Sequence, residues 1–216
     1  TGKTRVLDRV TESMDLEGLA NHRGSSFGRR VTPQPPLISF ENALAINLLK
    51  LKHRISGPLL IEDESHLIGS LSLPVNFYRA MGRAPIAVLE EPMTLRVYQV
   101  KADYVDALAT EYVSHFGPEE GLKAYAEYML ASLGRVRKRL GGARYLIIAE
   151  QMQAALDHQL TQGETELHRV WIEAMLSQYY DPMYDYQLGK KSERVLFRGC
   201  QTEVIEWFAE YRRQYR

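Results

Sequence analysis

Short apolar runs that end in acidic residues are the feature that most restricts the fold of this chain. Residues 59–61 (LLI) run directly into Glu62-Asp63-Glu64, and residues 86–89 (IAVL) run into Glu90-Glu91. Runs of this length that alternate with helical patterns predict a parallel sheet with crossover helices. The acids would then lie at the carboxyl edge of the strands, where such sheets bind ligands.

Helical patterns separate these runs along the chain. Residues 40–52 predict a helix with Ser39 as a candidate N-cap, and residues 14–17 predict a short strand ending in acids. Near the end of the chain, residues 194–197 return to a strand and residues 202–211 predict an amphipathic helix. The last strand and helix are therefore expected to rejoin the sheet.

The middle of the chain changes to helical periodicity throughout residues 103–180. Gly117-Pro118 and Gly141-Gly142 are expected to end one helix and begin the next. We therefore predict an α/β fold like that of P-loop NTPases, with a parallel sheet, flanking helices and an all-helical insertion. The expected boundaries are a core over residues 1–102, an insertion over 103–190 that could contact RNA, and a return to the core over 191–216.

Composition restricts the cellular context. A chain of 216 residues, 45% of them hydrophobic, can bury a substantial core. Lys and Arg (27) balance Asp and Glu (27), so any site for a polyanion must be a local patch. Cys200 is the one cysteine, which excludes an internal disulfide and a cysteine-based zinc cluster and fits the reducing cytoplasm. The sequence has no apolar run of membrane-spanning length, so no membrane partner is expected.

The opening residues Gly2-Lys3-Thr4 match the end of a phosphate-binding loop. Backbone N–H groups would hold a phosphate, Lys3 would add charge, and the Thr4 hydroxyl would reach Mg²⁺. Taken alone, the match can also be a chance tripeptide. A phosphate loop needs an acid at a neighbouring strand end, and we expect Asp63 first, with Glu62 and Glu64 as the next choices.

The stretch DLEGLANHRGSSFG, residues 15–28, has an unusual density of chemically active side chains. Its acids could orient a nucleophile or a metal-bound water, and its arginine and serines suit phosphate oxygens. A flexible, polar surface loop has the same composition, so this alternative stays open. The candidate catalytic residues are Asp15, Glu17, His22 and Arg23, and the candidate phosphate ligands are Gly2, Lys3, Thr4, Arg23, Ser25 and Ser26.

Basic and tyrosine-rich segments are candidates for RNA contact. Cations near a helix end can also be ordinary capping, and the tyrosines could instead seal a joint between insertion and core. The candidate tRNA-binding residues are Arg135, Lys138, Arg139, Arg144, Tyr180, Tyr184, Lys190, Lys191 and Arg198.

Several motifs together resemble the carboxyl-terminal domain of bacterial tRNA 2-selenouridine synthases: GKT, DLEGLANHRGSSFG, FEN, EDES, YYDPMYDYQL with the following KK, and FRG. The similarity runs from Gly2 to about Glu210, and the 14-residue string is highly specific. The resemblance implies a P-loop domain that follows an N-terminal rhodanese-like domain. The rhodanese domain, with its catalytic cysteine, has no counterpart here, and a start at Thr1 rather than Met suggests a fragment of a longer protein.

The resemblance also implies an activity. Wobble 2-thiouridine in tRNA would be S-geranylated from geranyl diphosphate and then converted to 2-selenouridine with selenophosphate, in the cytoplasm. Lys3, Arg23 and Mg²⁺ bound through Thr4, Asp63 and Glu62 would stabilise the departing diphosphate. Two alternatives remain: a P-loop kinase or nucleotide hydrolase with Asp15 or Glu17 as base, and a non-catalytic tRNA-binding module.

Overall fold

The computed structural model describes residues 2–215, which form two compact units. The core unit comprises the chain up to Gly24, residues 32–91 and the chain from Lys191 onward. The helical unit comprises Ser25–Val31 and Pro92–Lys190. The chain therefore passes from one unit to the other inside the stretch of residues 15–28.

The secondary structure is mostly helical. The α-helices in chain order are α1 (Lys3–Leu7), α2 (Leu16–Leu19), α3 (Leu37–Arg54), α4 (Val75–Met81), α5 (Met93–Lys101), α6 (Ala107–Phe116), α7 (Pro118–Leu140), α8 (Gly142–Gln162), α9 (His168–Met175), α10 (Asp181–Gly189) and α11 (Gln201–Arg213). The strands are β1 (Ser13–Met14), β2 (Leu60–Ile61), β3 (Leu67–Ile68), β4 (Leu71–Ser72), β5 (Ile86–Leu89) and β6 (Val195–Gly199). None of the helices in residues 2–215 combines the length and apolar character that a membrane-spanning helix requires.

Parallel pairing in the core unit confirms the predicted α/β class. β1 pairs with β2 and β5 pairs with β6, both in parallel, with Met14 opposite Ile61 and Leu89 opposite Gly199. The antiparallel pair β3–β4 is an addition that the sequence pattern did not indicate, because each strand has only two residues. Helix α3 presents Phe40 and Leu44 to the core of this unit, as the helical pattern predicts.

Two local predictions in the core unit were wrong. Helix α3 begins at Leu37 with Pro36 at its N-cap, so Ser39 lies inside the first turn instead of capping it. The strand predicted over residues 14–17 ends at Met14, because the Asp15 side chain caps α2 by accepting a hydrogen bond from the Gly18 N–H at 2.7 Å.

The helical unit has its own apolar core. Glycines with positive φ separate its long helices, Gly117 between α6 and α7 and Gly141 between α7 and α8, both at 88°. The unit begins at Pro92, whereas the periodicity placed its start at residue 103, because α5 buries Val97 in this helical core. It also includes residues 25–31, of which Phe27 stacks on Trp171.

Candidate functional site

A lysine and four carboxylates form a cluster in the core unit, and we call Lys3, Asp15, Glu17, Glu62 and Glu64 the Lys3–carboxylate cluster. Lys3 is the first residue of α1 and follows Gly2, whose φ of 82° turns the chain into the helix. The Lys3 ammonium forms an ion pair with Glu64, and its Nζ lies 3.7 Å from Oε1 of Glu17. One cation therefore holds two carboxylates from separate segments.

The segment after β2 places its acids in different surroundings. Glu62 and Glu64 are buried, with 2% and 9% of their surface exposed, and both interact with Lys3. Asp63 between them is exposed, and its Oδ2 accepts a hydrogen bond from Lys191 at 2.6 Å. The first choice among the acids, Asp63, is thus paired with Lys191, and the buried neighbours join the cluster.

Burial sets the protonation of the cluster. Burial raises the pKa of Glu17 to about 7. The charge of Lys3 lowers this pKa, and the charge of Glu64 raises it. Burial also raises the pKa of Glu62 to about 8, where Asp15 adds to the effect. Burial acts in the same sense on Glu64, but the charge and hydrogen bond of Lys3 outweigh it and hold the pKa of Glu64 below its ordinary value. At neutral pH, Glu62 is therefore mostly protonated and Glu17 titrates.

The backbone at Gly24 lies close to the carboxylates of the cluster. Gly24 has a φ of +65°, and a Cβ atom there would lie 2.5 Å from Oε1 of Glu17 and 2.9 Å from Oε2 of Glu64. Its N–H donates to Nδ1 of His22 at 3.1 Å, so His22 supports this turn. Only glycine combines this conformation with so close an approach to the carboxylates.

The predicted metal ligands Thr4, Asp63 and Glu62 lie in different surroundings. Thr4 is exposed on α1, and Asp63 is paired with Lys191. Within residues 2–215, no three His, Cys, Asp or Glu side chains are arranged to hold a metal ion by themselves. Glu62 nevertheless has a buried Oε1 without a hydrogen-bond partner, while its Oε2 accepts from the Leu16 N–H at 3.0 Å. Once Glu62 loses its proton, a buried acceptor of this kind fits a cation that a bound ligand brings with it.

The predicted phosphate ligands are divided between the two units. Gly2, Lys3, Thr4 and Arg23 belong to the core unit. Ser25 and Ser26 belong to the helical unit, where the Ser25 hydroxyl donates to Tyr104 Oη at 3.2 Å and the Ser26 carbonyl accepts from Arg135 at 2.6 Å. The predicted catalytic residues Asp15, Glu17, His22 and Arg23 all lie in the core unit.

The predicted basic tRNA contacts surround the turn between α7 and α8. Lys138 and Arg139 lie in the last turn of α7, Arg144 lies in the first turn of α8, and all three are exposed. Arg135 is held by two hydrogen bonds, because its guanidinium donates to the Ser26 carbonyl and to the Ser132 hydroxyl, both at 2.6 Å.

The remaining predicted tRNA contacts are divided between the two units. Tyr180 and Tyr184 stack with ring centroids 6.2 Å apart, and burial raises the pKa of Tyr180. Lys190 lies over the ring of Tyr186 at 4.1 Å. The last two candidates belong to the core unit and form ion pairs, Lys191 with Asp63 and Arg198 with Glu90.

One positioning residue had no signal in the sequence. Gln34 donates its amide N–H groups to the Ala20 and Ile68 carbonyls at 2.9 and 3.0 Å, and its Oε1 accepts from the Ser70 N–H at 2.8 Å. It thereby connects the end of α2 to the β3–β4 turn. A lone glutamine between prolines gives no pattern from which this role could be inferred.

Comparisons with known proteins agree with the motifs around the cluster. The sequence model of one family, described as the tRNA 2-selenouridine synthase AAA domain, matches residues 1–215. Curated relatives named tRNA 2-selenouridine synthase include those of Marinobacter nauticus (48% identical over 96% of this chain), Shewanella oneidensis (49% over 96%) and Pseudomonas syringae (47% over 97%). No solved structure matches the chain.

The match covers only part of each relative, namely 56%, 55% and 57% of the length of those three proteins. The chain thus spans a little over half the length of the curated relatives it matches.

Proposed function

Since this chain belongs to the tRNA 2-selenouridine synthase AAA-domain family, we propose that it is the diphosphate-binding part of a tRNA-modifying transferase. The whole enzyme would convert wobble 2-thiouridine to 2-selenouridine through S-geranyl-2-thiouridine, with geranyl diphosphate and selenophosphate as substrates. The observation that carries this proposal is the position of Lys3, which follows the Gly2 turn and faces the buried Glu64 and the partly buried Glu17. Because tRNA is the substrate, the proposal implies a cytoplasmic enzyme.

Lys3 is suited to exchange one anion for another. Its ion pair with Glu64 keeps the ammonium in place, and its side chain is 39% exposed, so an incoming diphosphate can reach it. Arg23 lies in the same unit and would add positive charge. Charge develops on the leaving oxygens as the allylic carbon–oxygen bond breaks, so fixed cations at this position stabilise the transition state more than the ground state.

The carboxylates would handle the proton of the geranyl transfer. The thiouridine sulfur forms a bond to the allylic carbon, the carbon–oxygen bond breaks, and diphosphate leaves with the electron pair. S-alkylation also releases the N3 proton of the base, which a carboxylate with a pKa near 7 can accept. Glu17 has such a pKa, raised by burial to about 7, and we assign it this role, with Asp15 and His22 positioning the segment around it.

A magnesium ion fits this proposal only together with the diphosphate. The unpaired Oε1 of Glu62 would hold the ion directly or through water, once Glu62 is ionised. Thr4, on the same unit, would contribute its hydroxyl. Mg²⁺ typically takes few protein ligands and several phosphate oxygens, and it would supply positive charge to the leaving group.

The turn between α7 and α8 is our proposed tRNA contact. Lys138, Arg139 and Arg144 are exposed there, and none of them forms an ion pair within residues 2–215. Such a patch attracts a nucleic-acid backbone without reading its sequence. Selenation and the choice of tRNA would depend also on the part of the relatives that this chain does not span.

Thermal unfolding with three ligands compared side by side tests the proposal. Geranyl diphosphate at 100 times its dissociation constant would stabilise the folded chain by about 2.7 kcal/mol. The proposal predicts this for geranyl diphosphate with Mg²⁺ and a smaller effect for ATP and GTP. Stabilisation by a nucleotide alone would favour a kinase or hydrolase, and stabilisation by none of them would favour a tRNA-binding module.

A further inference from the structure

The helical unit exposes apolar side chains beside the cations of the turn between α7 and α8. Leu146 and Ile147 lie in the first two turns of α8, and 65% and 58% of their surface is exposed. We call these two residues the aliphatic pair. Apolar residues scattered singly need no explanation, whereas apolar surface rimmed by charged residues is typical of interaction sites.

The residues on either side of the aliphatic pair hold it outward. Ile148 follows the pair in the chain and is buried in the apolar core of the helical unit. Tyr145 precedes the pair, is partly buried against the same core, and lies 5.1 Å from the guanidinium of Arg137, measured to the ring centroid. The aliphatic pair therefore cannot turn inward without displacing side chains that are already packed.

The turn itself leaves space for a ligand. A Cβ atom added at Gly141 or Gly142 would meet no atom of another segment of residues 2–215 within 4 Å. Lys138, Arg139 and Arg144 are exposed around this turn. A ligand at the turn can therefore contact cations and aliphatic side chains together.

The charges along α8 favour one class of partner over another. Glu150 lies on the exposed face of α8 one turn beyond the aliphatic pair, and Asp157 lies two turns further along that face. An anionic lipid surface lying along α8 would meet both carboxylates, whereas a nucleic acid that reaches only the turn would meet the cations. The surface therefore fits a nucleic acid better than a membrane.

Unpaired RNA has groups that match both parts of this surface. In a duplex the base faces are stacked on one another, but in a loop the bases are unstacked and can pack against side chains. We infer that the aliphatic pair packs on unstacked bases of an RNA loop while Lys138, Arg139 and Arg144 bind the neighbouring phosphates. The inference rests on the proposed tRNA-modifying function. It adds a preference for looped over paired RNA, which phosphate contacts alone do not provide.

Binding to two RNAs measures this preference. One RNA is a stem–loop with the unpaired anticodon loop of a tRNA, and the other is a fully paired duplex of the same length. We expect the unchanged chain to bind the stem–loop about 10-fold or more tightly than the duplex at the same salt concentration. The double variant Leu146→Gln, Ile147→Gln should bind the stem–loop only as tightly as the duplex. Its slope of log affinity against log salt concentration should not change, because no cation is removed.

A second exposed aliphatic pair provides the matched control. Leu37 and Ile38 begin α3 in the core unit, and the first cation after them on this helix is Lys50. The control variant Leu37→Gln, Ile38→Gln should leave both affinities within about twofold, because it removes similar apolar surface from a segment without cations. Glutamine is a good helix former, so circular dichroism should show unchanged helix content in both double variants.

A stem–loop preference that the Leu146→Gln, Ile147→Gln variant loses and the control variant keeps supports the inference. A variant that binds the stem–loop as tightly as the unchanged chain would overturn it. Equal affinities of the unchanged chain for the two RNAs would overturn the inference alone, since the proposed tRNA contact requires only binding that charge reversal weakens. No binding to either RNA would overturn both.

Two other occupants of this surface are separate outcomes of the same comparison. Binding to phosphatidylserine vesicles that requires the aliphatic pair, without a preference between the two RNAs, would overturn the inference in favour of a lipid surface. Self-association of the unchanged chain that the Leu146→Gln, Ile147→Gln variant abolishes would overturn it in favour of a second copy.

Discussion

Replacing Glu62 by glutamine should stabilise the protein at alkaline pH and leave it nearly unchanged at acidic pH. Glu62 is 2% exposed, and burial raises the pKa of its carboxyl group to about 8. Its Oε2 accepts a hydrogen bond from the Leu16 N–H at 3.0 Å, which a glutamine oxygen can also accept. Glutamine therefore reproduces the protonated form of Glu62 and cannot ionise.

The magnitude follows from the difference in proton affinity between the folded and unfolded chain. The ordinary pKa of 4.5 applies to Glu62 in the unfolded state, and about 8 applies in the folded state. The unfolded chain therefore loses this proton first as the pH rises, and the folded state loses stability between pH 4.5 and 8. At about 1.4 kcal/mol for each tenfold change in affinity, the contribution of Glu62 falls by roughly 4 kcal/mol between about pH 5 and about pH 9.

Urea unfolding followed by circular dichroism at pH 5, 7 and 9 measures this effect. The free energy of unfolding of Glu62→Gln minus that of the unchanged chain should be near zero at pH 5 and should rise to about 4 kcal/mol at pH 9. Taking the difference removes the titration of Glu17, which is present in both proteins. A difference that stays the same at the three pH values would refute the reasoning, because Glu62 would then titrate alike in both states.

Two further changes test other parts of the account. Gly24→Ala should destabilise the core unit by about 2–4 kcal/mol, because it combines backbone strain with a Cβ in contact with Glu17. The control Gly141→Ala also has a positive φ but no atom within 4 Å of the added Cβ, so it should cost only about 1–2 kcal/mol. Equal losses of unfolding free energy in urea would contradict this difference. Reversing the exposed charges at the turn between α7 and α8 should weaken tRNA binding and lower the slope of log affinity against log salt concentration by about 2–3. Lys123→Glu on α7 is the control. A slope no different from that of the control would exclude this surface. The reversed residues are Lys138, Arg139 and Arg144.

The sequence was sufficient for the fold class because strands and helices leave different periodicities. The apolar runs before Glu62 and Glu90 became β2 and β5, and the glycines at 117 and 141 separate the long helices as expected. Local errors arose where a side chain competes with the backbone pattern. The pattern predicts a strand end at Asp15, whereas its carboxylate caps α2.

The candidate site was predictable only in part, because neighbouring residues on an extended segment face different surroundings. The sequence indicated an acid after β2 beside a phosphate loop and favoured Asp63 over Glu62 and Glu64, whereas the buried acids near Lys3 are Glu62 and Glu64. That choice depends on Lys191, 128 residues further along the chain, which pairs with Asp63. The close approach of Gly24 to Glu17 and Glu64 also depends on tertiary contacts that no local pattern records.

The dissociation constant of geranyl diphosphate, measured by titration calorimetry with Mg²⁺ for the unchanged chain and for Lys3→Met, shows whether Lys3 binds the diphosphate. Lys191→Met is the control, since it removes a lysine of the same unit that pairs with Asp63 outside the cluster. The account predicts that Lys3→Met weakens binding at least about 10-fold, or 1.4 kcal/mol, while Lys191→Met leaves it within about twofold. Equal affinities for all three proteins, or no binding by the unchanged chain, would contradict it.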